Sequence, residues 1–166
     1  MRGSYSKSWL VPTALLGLLA VAMLVPFSAS AADRQEVTFH MGGPWCGGTI
    51  EGASGPVVRA TTSFCGLSTG SVSVFCCEGS ATFDVTVNLD QMRGAIAGEW
   101  AVSGNASDVF WQGDLRGRDG PDAALGEITG TSNTGLTFHG TWSHAGFLDP
   151  TVDQGIGIDV TGVVSS

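Results

Sequence analysis

Lysine is almost absent: Lys7 is the only one in 166 residues, and tyrosine occurs once, at Tyr5. Both stand ahead of a long uncharged apolar run, so the rest of the chain has neither. Lysine-rich patches of the kind that grip phosphate backbones are therefore excluded. Also missing is any stretch with a sustained helical period of apolar residues. Cysteines in C-x₂-C spacing are lacking too, which removes the usual signature of a structural zinc site. What remains is rich in glycine, at 25 residues, and carries fifteen acidic residues against seven basic ones.

The N-terminus has the layout of an export signal. Arg2 and Lys7 are followed by Leu10 to Val25, about 16 residues without charge, then Pro26 and the small-x-small sequence Ala29-Ser30-Ala31. Basic, apolar, small is the order of a cleavable secretory signal. A membrane-spanning helix needs roughly 20 apolar residues, so the run is short for an anchor. Residues 1–31 are read as the signal peptide and 32–166 as one domain with a Cys/Gly-rich N-terminal part, 42–80. No cysteine lies at the cleavage site, so a lipid anchor is not indicated. After cleavage five arginines face fifteen acids, a net charge of about −10. Such a domain repels nucleic acid and anionic lipid. The expected location is secreted, periplasmic or extracellular.

Four cysteines, Cys46, Cys65, Cys76 and Cys77, form an even set in an exported domain, which favours two disulfides. A ring between the neighbours Cys76 and Cys77 is strained, because adjacent Cα atoms are about 3.8 Å apart. Setting that ring aside, Cys46 and Cys65 are each expected to bond one of Cys76 and Cys77.

From Val57 onward, short segments alternate apolar and polar residues between turn sequences. Phe83, Val85, Val87 and Leu89 share one face and Asp84, Thr86 and Asn88 the other. The same period of two runs through 96–101, 111–116, 126–130, 136–142 and 156–160, with earlier candidates at 57–63, 71–75 and 36–41. Glu78-Gly79-Ser80, Ser103-Gly104-Asn105, Asp119-Gly120-Pro121-Asp122 and Ser132-Asn133-Thr134-Gly135 read as turns. Connections this short join antiparallel neighbours. The prediction is an all-β, up-and-down antiparallel meander of about eight strands, closed as a barrel or folded as a two-sheet sandwich.

A motif, apolar-x-Gly-x-apolar, recurs at Ile96-x-Gly98-x-Trp100, Trp111-x-Gly113-x-Leu115, Phe138-x-Gly140-x-Trp142 and Val160-x-Gly162-x-Val164, with a half copy at Ile128-x-Gly130. The midpoints between successive glycines fall in the predicted turns. Simple hairpins would then set Gly98, Gly113, Gly130, Gly140 and Gly162 side by side on the apolar face, with Trp100 facing Trp111. A strand glycine is unfavourable unless a bend or a close approach needs it. The belt either lets large neighbours cover the gaps and the sheet coil, or floors a cleft walled by Trp100, Trp111, Phe138 and Trp142. Such a cleft suits a sugar ring or a flat apolar ligand.

Catalytic signals are sparse. Gly66-Leu67-Ser68-Thr69-Gly70 matches the nucleophile pattern G-x-S-x-G, but that motif needs a strand before it and a helix after it; it is read as a turn. His139 projects from a polar face, where Glu127 or Asp159 could neighbour it across strands, and His144 is placed at the start of a loop. Asp119, Asp122 and Glu127 lack calcium-loop spacing, while Asp149 and Asp153 would need their loop to curl. Asn105-Ala106-Ser107 is a glycosylation sequon at a loop tip. No metal, cofactor or catalytic set is expected. The leading function is a non-catalytic barrel or sandwich taking a small ligand or glycan at the Gly/Trp face. Behind it stand a filled-core structural or interaction protein of the cell envelope, and then a small outer-membrane barrel.

Overall fold

The alternating segments 57–63, 96–101, 111–116, 126–130 and 156–160 each lie inside an observed strand that runs several residues beyond them. The structure, a computed structural model, describes residues 34–70, 75, 77–103, 109–152 and 155–166. The predicted signal peptide, the sequon at 105–107, Cys76 and Asp153 lie outside the described residues. Among the described residues nine strands form one antiparallel sheet: β1 (Gln35–Gly43), β2 (Trp45–Ser54), β3 (Val57–Gly70), β4 (Cys77–Asn88), β5 (Arg93–Ser103), β6 (Phe110–Asp119), β7 (Ala123–Ser132), β8 (Thr137–Ala145) and β9 (Ile156–Ser165). From β3 to β9 each strand pairs with the next. β9 then pairs with β1, and β1 with the far end of β3, Phe39↔Gly70 to Gly42↔Leu67. Eight strands thus close into a barrel, and β2 is an extra strand attached to β3 alone.

The closure is staggered. Paired residues lead from Phe39 through Val160, Trp142, Gly126, Gly117, Ile96, Val85 and Ala60 back to Ile50 on β2. Ile50 is eleven positions beyond Phe39, one of them the bulge residue between Trp45 and Gly47, so the stagger is about ten residues. For eight strands that corresponds to a tilt of about 40°, within the usual range for barrels. Apolar side chains of the alternating pattern point inward and most polar ones outward, as in β6, where Trp111 and Leu115 are buried while Gln112, Arg116 and Arg118 are exposed; Thr62, Ser68, Asp119 and Ser132 are buried polar exceptions.

Four expectations need correction. First, residues 45–54 form a strand that the alternation does not announce. β1 and β2 are one chain direction in one register, since Trp45↔Phe64 continues the pairing of Gly42↔Leu67. The break falls at Pro44, which has no N–H for a ladder. Second, the same hairpin brings Cys46 beside Cys65, and these two form the disulfide, with Cα atoms 5.7 Å apart. Neither expected pairing with Cys76 or Cys77 occurs, because the β2–β3 hairpin, which the sequence pattern does not reveal, sets Cys46 against Cys65. Third, the segments 66–70 and 78–80, read as turns, are the ends of β3 and β4, paired as Gly66↔Gly79 and Leu67↔Glu78. Fourth, His144 lies within β8 rather than starting a loop.

Candidate functional site

The barrel interior is a collection of rings. Phe39, Phe64, Phe75, Phe83, Trp100, Trp111, Phe138 and Trp142 are all buried. All but one project inward from strands. Phe75 comes from the connection between β3 and β4, yet it is fully buried, and Ser68 of β3 donates a hydrogen bond from Oγ to its carbonyl at 2.5 Å. Its ring lies parallel to Phe39, with centroids 4.4 Å apart and planes 3° apart. On Trp111 it stacks at 4.9 Å, and it tilts against Phe138 at 5.5 Å. Offset-stacked and tilted rings at these separations attract beyond their buried area.

Glycine pairs make room for two of the three indoles. Gly113 and Gly130 are direct cross-strand partners, as are Gly117 and Gly126. Trp100 lies over the first pair, where a Cβ on Gly130 would sit 2.5 Å from its ring; Trp142 lies over the second, 2.6 Å from a Cβ on Gly117. With the side chains absent, each indole reaches a backbone carbonyl. Trp100 Nε1 donates to Thr129 O at 2.9 Å and Trp142 Nε1 to Arg116 O at 3.3 Å. Those are the same carbonyl oxygens that a Cβ on Gly113 or on Gly126 would strike. Trp111 differs: its buried Nε1 has no hydrogen-bond partner among the described residues. Leaving such a donor unpaired costs about 1–3 kcal/mol.

The five belt glycines all sit on inward positions of adjoining strands, but not in one row. Gly113↔Gly130 and Gly140↔Gly162 pair as predicted, whereas Gly98 opposes Leu115 and Gly130 opposes Phe138. Trp100 faces Gly113, and Trp111 faces Val102. Two of the four hairpins are thus offset by two residues. That offset keeps every side chain on its own face, so the burial pattern cannot detect it. Trp100, Trp111, Phe138 and Trp142 are brought together inside the barrel. In the sequence Phe39 and Phe83 carry only the alternation of their strands as a signal, and Phe75 reads as the last residue of a strand.

Groups with chemical potential are dispersed. Ser68 is buried and bonded to Phe75. His139 opposes Thr129 and Val163, so neither Glu127 nor Asp159 is its partner. Asp159 instead pairs with His40, at 2.8 Å on the exposed wall. His144 Nδ1 bonds Gly157 O at 2.7 Å. At the barrel end opposite Phe75, Asp119 is buried and its Oδ1 accepts the Leu148 N–H at 3.1 Å, while Oδ2 has no partner among the described residues. Burial raises the Asp119 pKa, and Asp149 adds to this; the N–H groups of Leu148 and Gly120 and the nearby His144 pull it back. Asp149 caps its own turn by accepting from Thr151 N and Oγ1. Among the described residues no three His, Cys, Asp or Glu side chains gather as a metal site would need. No family model, curated protein or solved structure matches the chain.

Proposed function

We propose that the chain is an exported, non-catalytic binding module whose binding element is the aromatic interior of the barrel. The observation that supports this most is that one end of the ring-lined interior is stoppered by Phe75, a side chain from a connection rather than from the wall. A signal-like N-terminus and the Cys46–Cys65 disulfide favour an oxidising compartment outside the cytoplasm. The polarity of the wall weighs against the outer-membrane alternative, since transmembrane barrels turn their apolar side to lipid. A second reading, a filled structural or interaction protein, draws support from the near-complete burial of Trp100, Trp111, Phe138 and Trp142. Thermal melting of the mature domain against glycans, lipids and small aromatic compounds separates the two. The binding reading expects a saturable rise in Tm with one of these classes. No shift with any class, together with stable cross-links to an envelope component, contradicts it.

A further inference from the structure

We propose that the cleft between β2 and the 149–152 turn binds one uncharged pyranose ring of a neutral glycan. It lies beside Leu148 and Asp149, at the barrel end opposite Phe75, and goes beyond the interior reading without depending on it. The cleft is open and measures about 190 Å³. A cavity of about 150 Å³ accepts a benzene ring, so there is room for a single six-membered ring. Trp45, Ile50 and Val152, three of the large apolar side chains left exposed, gather on its walls. Clustered apolar surface of this kind marks interaction sites. Both walls are already in place. Trp45 lies over Gly48, where a Cβ would come within 3.0 Å of the indole, and the adjacent Cys46 is tied to Cys65. Across the cleft Leu148 is buried with its N–H on Asp119, and Asp149 holds the turn through Thr151. No side chain has to leave for a ring to enter.

The lining separates a sugar from a plain apolar ring. Thr62, the cross-strand partner of Gly48, lines the cleft and is only 8% exposed. Its hydroxyl has no hydrogen-bond partner among the described residues. An apolar guest would seal that hydroxyl from water unpaired, which is unfavourable. A sugar hydroxyl can pair with it as donor or acceptor. The C–H face of the same ring is apolar and packs against an indole. Neutrality follows from the walls, since no residue lining the cleft is charged. An ion placed there would lose water without gaining a counter-charge. Asp149, at the inner end, commits its Oδ1 to Thr151.

The test is titration calorimetry on residues 32–166 with cellotriose, maltotriose and triacetylchitotriose as neutral probes. Trigalacturonate serves as the charged control and toluene as the ring without hydroxyls. At least one neutral trisaccharide should bind, with trigalacturonate and toluene weaker by about ten-fold or more. Thr62→Val keeps the shape and removes the hydroxyl, so it should weaken that sugar about five-fold and leave toluene unchanged. Trp45→Ala should weaken the sugar about ten-fold or more. Nuclear Overhauser contacts should run from the sugar to Trp45. If Trp45→Ala does not fold, Thr62→Val and these contacts still decide the matter. Three neutral trisaccharides that give no heat up to their solubility limits overturn the proposal, as does native-like sugar binding by both variants. Equal binding of trigalacturonate or toluene overturns it too. A sugar whose contacts fall on Phe39 and Trp111 instead overturns this site while supporting the interior reading. Conversely, a ligand that still binds Trp45→Ala as tightly as the native protein tests the interior on its own.

Discussion

Three inward tryptophans divide by what lies opposite them, and this sets the consequences of single substitutions. Gly113→Ala would drive a methyl group into the Thr129 carbonyl that Trp100 Nε1 uses. The expected loss is about 1–3 kcal/mol or more, measured by urea denaturation. Gly52→Ala on β2, where nothing lies within 4 Å of the added Cβ, should stay within about 0.5 kcal/mol of the native protein. Asp119 gives a pH signature. Its folded pKa is raised by burial, so the folded state holds the proton more tightly than the unfolded chain. The stability linked to that proton is complete below the ordinary carboxylate value of about 4 and is lost as pH rises through the raised value. Asp119→Asn keeps an acceptor for the Leu148 N–H and cannot ionise, so its stability should be flatter across that window. Melting curves between pH 3 and 8 check this; equal pH dependence in both proteins would count against the assignment. At this scale the sequence announced the glycines and tryptophans, because strand glycines need a reason. It did not announce Phe75, since one ring in a connection has no periodicity to betray its burial.

Among the elements, β2 carries the main lesson. It is an edge strand, exposed along nearly its whole length, so neither face has to be apolar and the alternation that reveals β4 to β9 is missing. The far end of β3 was hidden for a related reason: its Gly-Ser-rich residues resemble a turn, and its inward position is the hydroxyl of Ser68. Missing these two segments also concealed the disulfide, which their hairpin aligns. Replacing Cys46 and Cys65 together by serine should lower stability by about 2–4 kcal/mol. The barrel should survive this, because its closure lies in the pairing of β1 with β9 and with the end of β3. Far-ultraviolet circular dichroism should keep its native strand spectrum while the urea midpoint falls. Peptide mapping without reduction should recover a Cys46–Cys65 cross-link, and a Cys46–Cys77 link in its place would contradict the hairpin register.

For the whole molecule, the alternation and short turns made an up-and-down β fold legible but left barrel and sandwich equally open. Closure depends on four residue pairs, Phe39↔Gly70 to Gly42↔Leu67, in segments without a strong strand signature. Once the sheet closes, every inward position shares one interior, and rings from β1, β3, β4, β5, β6 and β8 meet there. The central claim is that the ring-lined interior, which Phe75 completes, is the protein's binding element. Nuclear Overhauser measurements on residues 32–166 test it most directly, made before and after addition of the glycan, lipid or small aromatic compound that raises Tm most. Contacts from Phe75 to Phe39 and Trp111 should be present in the free protein, and contacts from the added compound to the interior rings should appear on binding. A Phe75 ring that makes no such contacts in the free protein, or a bound compound that touches none of the interior rings, contradicts the account.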